Sequence, residues 1–215
     1  MKDRILVTGF EPFGGDRLNP SREVARQLDG RRVAGHVIVG RCLPCTFGAA
    51  PATLEALLDE VQPGVVIALG LGGRRSAVSI ERIAVNLIDA RIADNAGEQP
   101  IDVPVVDGAP AAYFASLPVK AMHAGLREAG IASEVSHSAG TFVCNQVFFA
   151  LMHRLRAWPQ AKGGFIHLPP LPEQAAAHPA GRPMALEKQV QAIELAIGIT
   201  LARAADARVT AGTLD

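Results

Sequence analysis

Three side chains in this sequence are of the types that acyl transfer uses, and each lies near the end of a backbone element. Cys144 belongs to Ser136-His137-Ser138-Ala139-Gly140-Thr141-Phe142-Val143-Cys144-Asn145, a strand that closes in small residues and runs into a helix. This puts the thiol near the first turn, where unpaired backbone N–H groups and the helix dipole favour a thiolate and can donate to a developing oxyanion. The competing reading is a buried, inert cysteine that packs like a small hydrophobe. A thiol nucleophile needs a base. Of the six histidines, His36, His123 and His153 fall within strand or helix patterns and read as surface or satisfied residues. His167, in Gly163-Gly164-Phe165-Ile166-His167-Leu168-Pro169-Pro170, ends a buried-type strand, at the edge where open α/β sheets assemble their sites. His137, also near a strand end, is its rival. Glu81 sits in Val78-Ser79-Ile80-Glu81-Arg82-Ile83-Ala84-Val85, where period-two alternation places it on one face with Ile83, Val85 and Leu87. A carboxylate on an apolar face demands a partner, either an imidazole that it orients or an arginine in an internal ion pair.

Two further motifs carry less. Cys42-Leu43-Pro44-Cys45 has thioredoxin-like spacing, but the next helix is expected to start only at Pro51, too late for its dipole to reach the thiols. No second cysteine pair completes a zinc site. Gly70-Leu71-Gly72-Gly73-Arg74-Arg75 follows a strand but has arginine where a dinucleotide fingerprint needs its last glycine, and a strand pattern follows it. It reads as a tight backbone turn.

These residues must be held by a scaffold, and the hydrophobic pattern supplies one. Val- and Ile-rich runs at 4–10, 32–43, 64–69, 78–88, 131–136 and 163–168 alternate with helical patterns at 21–28, 51–61, 119–129, 141–157 and 185–205. That rhythm predicts an α/β protein, a three-layer α/β/α sandwich with a mixed, largely parallel central sheet. Residues 1–215 are expected to form a single domain, since no linker composition interrupts them. Between 88 and 118 the pattern weakens into turn signals. The stretch 169–183, with five prolines, reads as a lid, a binding loop or a tolerated insertion.

Composition narrows the function class. With 49% apolar and 20% charged residues, a chain of 215 buries roughly 70% of its unfolded surface, which excludes intrinsic disorder. Lys and Arg total 21, as do Asp and Glu, so no basic footprint for nucleic acid or an anionic membrane is expected. No run of about 18 apolar residues is present to span a bilayer, and Met1-Lys2-Asp3-Arg4 does not read as a signal peptide. Three cysteines, Cys42, Cys45 and Cys144, suit reduced thiols in the cytoplasm.

Taken together, the motifs resemble those of the pyroglutamyl peptidase I family, also called pyrrolidone-carboxylate peptidases. The resemblance spans nearly the whole chain: Val7-Thr8-Gly9-Phe10-Glu11-Pro12-Phe13-Gly14-Gly15 with Asn19-Pro20-Ser21, the 70–86 segment around Glu81, Asp89-Ala90-Arg91-Ile92-Ala93-Asp94-Asn95, Ser138 to Asn145, Gly164 to Pro169, and Leu171-Pro172-Glu173-Gln174. It implies a cysteine peptidase, without metal or cofactor, that removes an N-terminal pyroglutamyl residue from peptides through a thioester. Cys144 would be the nucleophile, His167 the general base and acid, and Glu81 the carboxylate that orients the imidazole. It further implies that Phe10, Phe13, Arg91 and Val143 bind substrate and that the chain forms a homo-oligomer, a tetramer in most members. The sequence departs from the family at Leu71, where many members carry Gln, at Gln146, where His or Tyr is common, and at Cys45, where a small non-thiol residue is usual. A thiol-dependent amidohydrolase with a changed small acyl specificity is therefore the alternative; a non-catalytic binding protein and a redox protein built on Cys42 and Cys45 stand further off.

Overall fold

Continuous Val-, Ile- and Leu-rich runs fold as interior strands because helices cover both faces of their sheet and leave no polar side to alternate with. A computed structural model describes residues 3–212. Its strands are β1 (Arg4–Phe10), β2 (Arg32–Val33), β3 (His36–Leu43), β4 (Val65–Leu71), β5 (Val78–Glu81), β6 (Ile83–Val85), β7 (Ala112–Phe114), β8 (Ser133–Ser136) and β9 (Lys162–Leu168). The helices are α1 (Pro20–Leu28), α2 (Ala49–Val61), α3 (Val119–Glu128), α4 (Val143–Leu155) and α5 (Leu186–Ala202). Seven strands form one sheet in the order β2-β3-β1-β4-β9-β5-β8, and β6 pairs with β7 in a separate ribbon. Neighbours β3, β1, β4 and β9 are mutually parallel, as are β5 and β8, whereas β2 runs against β3 and β5 against β9.

The sheet is the middle of three layers. Along β1, Ile5 and Val7 point to a core shared with Val24 of α1, Met122 of α3 and Ile193 of α5. Leu6, between them, points to the opposite core with Leu54 of α2 and Phe148 of α4. This period-two division gives each face its own helices, and each such side chain contributes about 1.5–3 kcal/mol through burial. The mixed, largely parallel α/β/α sandwich expected from the sequence is the fold observed.

The boundaries differ where a local conformation overrides the pattern. The run 32–43 breaks into a hairpin at Ala34 and Gly35, whose φ angles are 47° and 83°. The run 78–88 breaks at Arg82: β5 stays in the main sheet, while β6 leaves it to pair with β7, a short strand in the weakly patterned stretch. The strand expected to end at 69 continues as β4 through Leu71, so Gly70 belongs to a strand and not to a turn. Helix α4 starts at Val143, two residues later than the pattern suggests. Among the described residues, no helix is long and apolar enough to cross a membrane.

Candidate active site

The parallel strands end together at one edge of the sheet, and the chemically capable side chains collect there. His167 lies one residue before the end of β9, opposite Gly70 on β4 and Ser79 on β5. Glu81 opposes Phe165, two residues before His167, so the carboxylate and the imidazole are diagonal neighbours on one face. Glu81 Oε1 lies 2.8 Å from His167 Nδ1. Both side chains are buried, and Glu81 is wholly inaccessible. The same oxygen lies 3.4 Å from a guanidinium nitrogen of Arg75, which also donates to Glu134 Oε1 at 2.9 Å and to Ser136 Oγ at 2.9 Å. The two partners that sequence reasoning held apart for Glu81, imidazole and arginine, are therefore both present. The alternation that grouped Glu81 with Ile83, Val85 and Leu87 stops at Arg82; Glu81 instead shares its face of β5 with Ser79, as period two requires.

Cys144 is the second residue of α4. No side-chain hydrogen bond caps that helix, which leaves its first-turn N–H groups without an intrahelical partner. The Sγ rests against Gly70: a β-carbon there would lie 2.9 Å from Sγ and 2.8 Å from the Phe165 ring. Gly70, the partner of His167 in the strand register, thus leaves room for the thiol, which lines the same cavity as His167. Glycine inside a strand was the available signal, since it marks close approach of another group, but a turn assignment hid it. Asn145 anchors the helix by accepting from Val85 N at 3.0 Å and donating to Val85 O at 2.9 Å and Leu87 O at 3.0 Å. Burial pushes the Cys144 thiol well above its usual range, Cys45 and Glu81 push the same way, and its own backbone N–H opposes them. Cys144 lies in the first turn of the helix, as expected, although the helix begins two residues later, and burial works against the thiolate that the helix start favours.

A cavity of about 540 Å³ opens over these groups and is lined by Cys144 and His167, with Phe10, Phe13, Phe142 and Leu71 among its apolar walls. Phe10 is almost fully buried against Phe165 at 6.4 Å between ring centroids, whereas Phe13 meets Phe142 at 5.1 Å and Phe142 meets Phe47 edge-on at 5.0 Å. Asn19 holds the loop that carries Phe10 and Phe13: its Oδ1 accepts from Ser21 N at 3.1 Å and from Ser21 Oγ at 2.7 Å, and Ser21 Oγ accepts from Phe10 N at 2.9 Å. Arg91 reaches the cavity from an exposed loop. That loop is tied down by buried Asp94, which accepts from Phe47 N, Ala96 N and Glu98 N at 2.7–2.9 Å. Val143 is not on the cavity wall; its side chain is wholly buried in the core beside Phe148. Phe142, one residue earlier, presents its ring instead.

The proline-rich stretch 169–183 supplies cavity wall through residues 177–180. It is pinned to the first loop by Asp16, whose Oδ2 meets Gln174 Nε2 at 2.8 Å and His178 Nε2 at 2.7 Å. His178 in turn packs on Gly73, where a β-carbon would come within 2.4 Å of the ring. His137 is exposed and off the cavity wall, which removes it as a rival. His123 bonds Ser133 Oγ, His153 bonds Tyr113 OH and His36 bonds Ala34 O. Cys42 and Cys45 are free thiols ahead of α2, which starts at Ala49, so its N-terminus does not hold them. Burial, then Glu11 and Asp94, pushes Cys45 up to about 12.

Comparison with known proteins bears on the site as a whole. Residues 3–203 match the family model described as pyroglutamyl peptidase. The chain is 53% identical over 212 residues to a pyrrolidone-carboxylate peptidase of Cupriavidus necator, covering 98% of each, and 50% identical over 208 residues to one of Klebsiella pneumoniae, covering 97% of each. Its fold superposes on the crystal structure of pyroglutamyl peptidase I from Bacillus amyloliquefaciens with a TM-score of 0.94 at 36% identity, covering 98% of this chain and 100% of the other. A mutant pyrrolidone carboxyl peptidase from Pyrococcus furiosus gives 0.89 at 43% identity, over 93% and 98% of the two chains.

Proposed function

The chain belongs to the pyroglutamyl peptidase family, and from that membership we propose that it removes N-terminal pyroglutamyl residues from peptides as a cysteine peptidase, with Cys144, His167 and Glu81 as its catalytic residues. The observation that carries this reading is the 2.8 Å contact between Glu81 and His167 Nδ1, which leaves the other imidazole nitrogen for a cavity that Cys144 also lines. Burial disfavours a resting thiolate at Cys144, so in this reading the thiol transfers its proton to His167 Nε2 as Sγ attacks the pyroglutamyl carbonyl carbon. Glu81 holds Nδ1–H and stabilises the imidazolium that forms. First-turn N–H groups of α4 donate to the oxyanion. The carbon–nitrogen bond then breaks as His167 returns the proton to the departing amine. Water, deprotonated by His167, hydrolyses the thioester and regenerates the thiol.

The pyroglutamyl ring is a small neutral lactam, and apolar Phe10, Phe13 and Phe142 suit its faces. Arg91 brings positive charge to the cavity from its exposed side, and Val143 acts through the backbone that opens α4. A homo-oligomer, a tetramer by the same resemblance, belongs to this reading; Ile101 and Phe114, 64% and 67% exposed, offer apolar surface for it. Three free thiols suit a cytoplasmic setting. A second reading, a changed small acyl specificity, is favoured by Leu71, which puts an aliphatic side chain on the wall.

The test is release of a chromophore from a pyroglutamyl amide under reducing conditions, beside Cys144→Ser. Activity in the parent protein and near-complete loss in the variant are expected. Retained activity in Cys144→Ser would overturn the nucleophile. A folded parent that ignores the pyroglutamyl amide yet cleaves another small acyl amide would favour the second reading.

A further inference from the structure

The cavity is larger than a lactam ring requires, and burial divides it. Phe10 and His167 form buried wall, whereas Arg74, Arg91 and residues 177, 179 and 180 are exposed at its mouth. The charges at that mouth are unequal. Among the described residues, neither Arg74 nor Arg91 has an ion pair or side-chain hydrogen bond, in contrast to Arg75, next in sequence, which is committed to Glu81, Glu134 and Ser136. Asp16 is the single carboxylate on the lining, and it is already engaged by Gln174 and His178. The chain as a whole carries no net charge, so two uncompensated guanidinium groups beside one paired carboxylate are a local excess. A pyroglutamyl ring has no charge to use it. With the ring seated against the buried wall, it is the departing side of the peptide that would extend to the mouth.

We infer that Arg74, with Arg91, makes the mouth of the cavity a carboxylate-preferring subsite for the residue that follows pyroglutamate. The inference rests on the proposed peptidase reading and specifies its substrates. The carboxylate comes from one of two sources: an acidic side chain in the residue after pyroglutamate, or the free C-terminus of a pyroglutamyl dipeptide. Guanidinium groups suit either, since their planar donors match a carboxylate in pairs. Both arginines are solvated, so the effect is modest and sensitive to salt.

Two isosteric pairs of substrates separate the sources. Pyroglutamyl-Glu-amide against pyroglutamyl-Gln-amide differs in a side-chain charge alone, and pyroglutamyl-Ala against pyroglutamyl-Ala-amide in a terminal charge alone. In at least one pair, kcat/KM is expected to favour the acid by about three- to tenfold at low salt. That ratio should fall toward one when ionic strength rises from about 0.01 M to about 1 M, and should also fall in Arg74→Ala. A preference in the first pair assigns the subsite to a side chain, and one in the second to the chain terminus. Ratios near one in both pairs, a preference for the amides, or a preference that survives both salt and Arg74→Ala would overturn the inference while the neutral substrates are still cleaved. Failure to cleave any of the four would overturn the peptidase reading itself.

Discussion

At the scale of single residues, the site turns on one carboxylate oxygen. Glu81 Oε1 serves both His167 Nδ1 and Arg75, while Oε2 is buried without a partner. A buried charge in that state is held by its neighbours, and its removal should be felt in the imidazole before the fold. Glu81→Gln keeps the shape but presents an amide that no longer fixes the Nδ1–H tautomer. It is expected to lower kcat between about 10²- and about 10⁴-fold, with an unchanged far-UV circular dichroism spectrum. A loss of less than fivefold would remove Glu81 from the mechanism. The thiols yield a second prediction. With its pKa raised to about 12, Cys45 stays protonated, and so unreactive to iodoacetamide, through neutral and mildly alkaline pH. Burial also disfavours the Cys144 thiolate, so its alkylation should depend on His167 and slow markedly in His167→Ala. Peptide mass mapping after timed alkylation reads both, and rapid labelling of Cys45 at pH 8 would contradict the burial argument.

At the scale of elements, three placements assemble the site: the end of β9, the start of α4 and the antiparallel β5. Much of this was legible. The strand ending in His167 and the helix beginning near Cys144 follow from apolar runs bounded by small residues and prolines. The antiparallel run of β5 against β9 was not legible, because pairing direction is set by how the chain returns across the sheet and leaves no mark in a four-residue strand. The break at Arg82 does leave a mark, since the large apolar residues fall at 78 and 80 but then at 83, 85 and 87, yet only pairing with distant β7 turns that change of phase into two strands. Gly70 shows what such pairing demands. Gly70→Ala would push a methyl group against Cys144 Sγ and Phe165, and kcat should fall by about 10²-fold from a displacement near 1 Å. Steady-state kinetics beside a thermal melt would check it; full activity would show that α4 can shift without cost.

At the scale of the molecule, stability against acid depends on the carboxylates that tie its loops together. Burial opposes ionisation of Asp94, but backbone N–H donors from Phe47, Glu98, Ala96 and Gly97 prevail and hold its pKa below the ordinary 3.8. A carboxyl depressed in the folded state adds stability that is fully present above pH 3.8 and is lost as pH falls through the lower, folded value. Asp94→Asn should therefore lower the melting temperature at pH 7, and its difference from the parent should narrow as pH falls progressively below 3.8, as read by thermal melts across pH. A difference that fails to narrow as acid is added below that pH would contradict this. By itself, the sequence determined the layered α/β/α class, since apolar periodicity records which faces are buried. It also determined the identities of Cys144, His167 and Glu81 as candidates, since strand ends and helix starts leave local signals. Tertiary structure alone decided that Glu81 meets His167 and Arg75 together, that Phe142 rather than Val143 walls the cavity, and that Asp16 binds the proline-rich loop. Most of these join residues far apart in the chain, and contacts of that kind arise from packing, which local pattern does not encode.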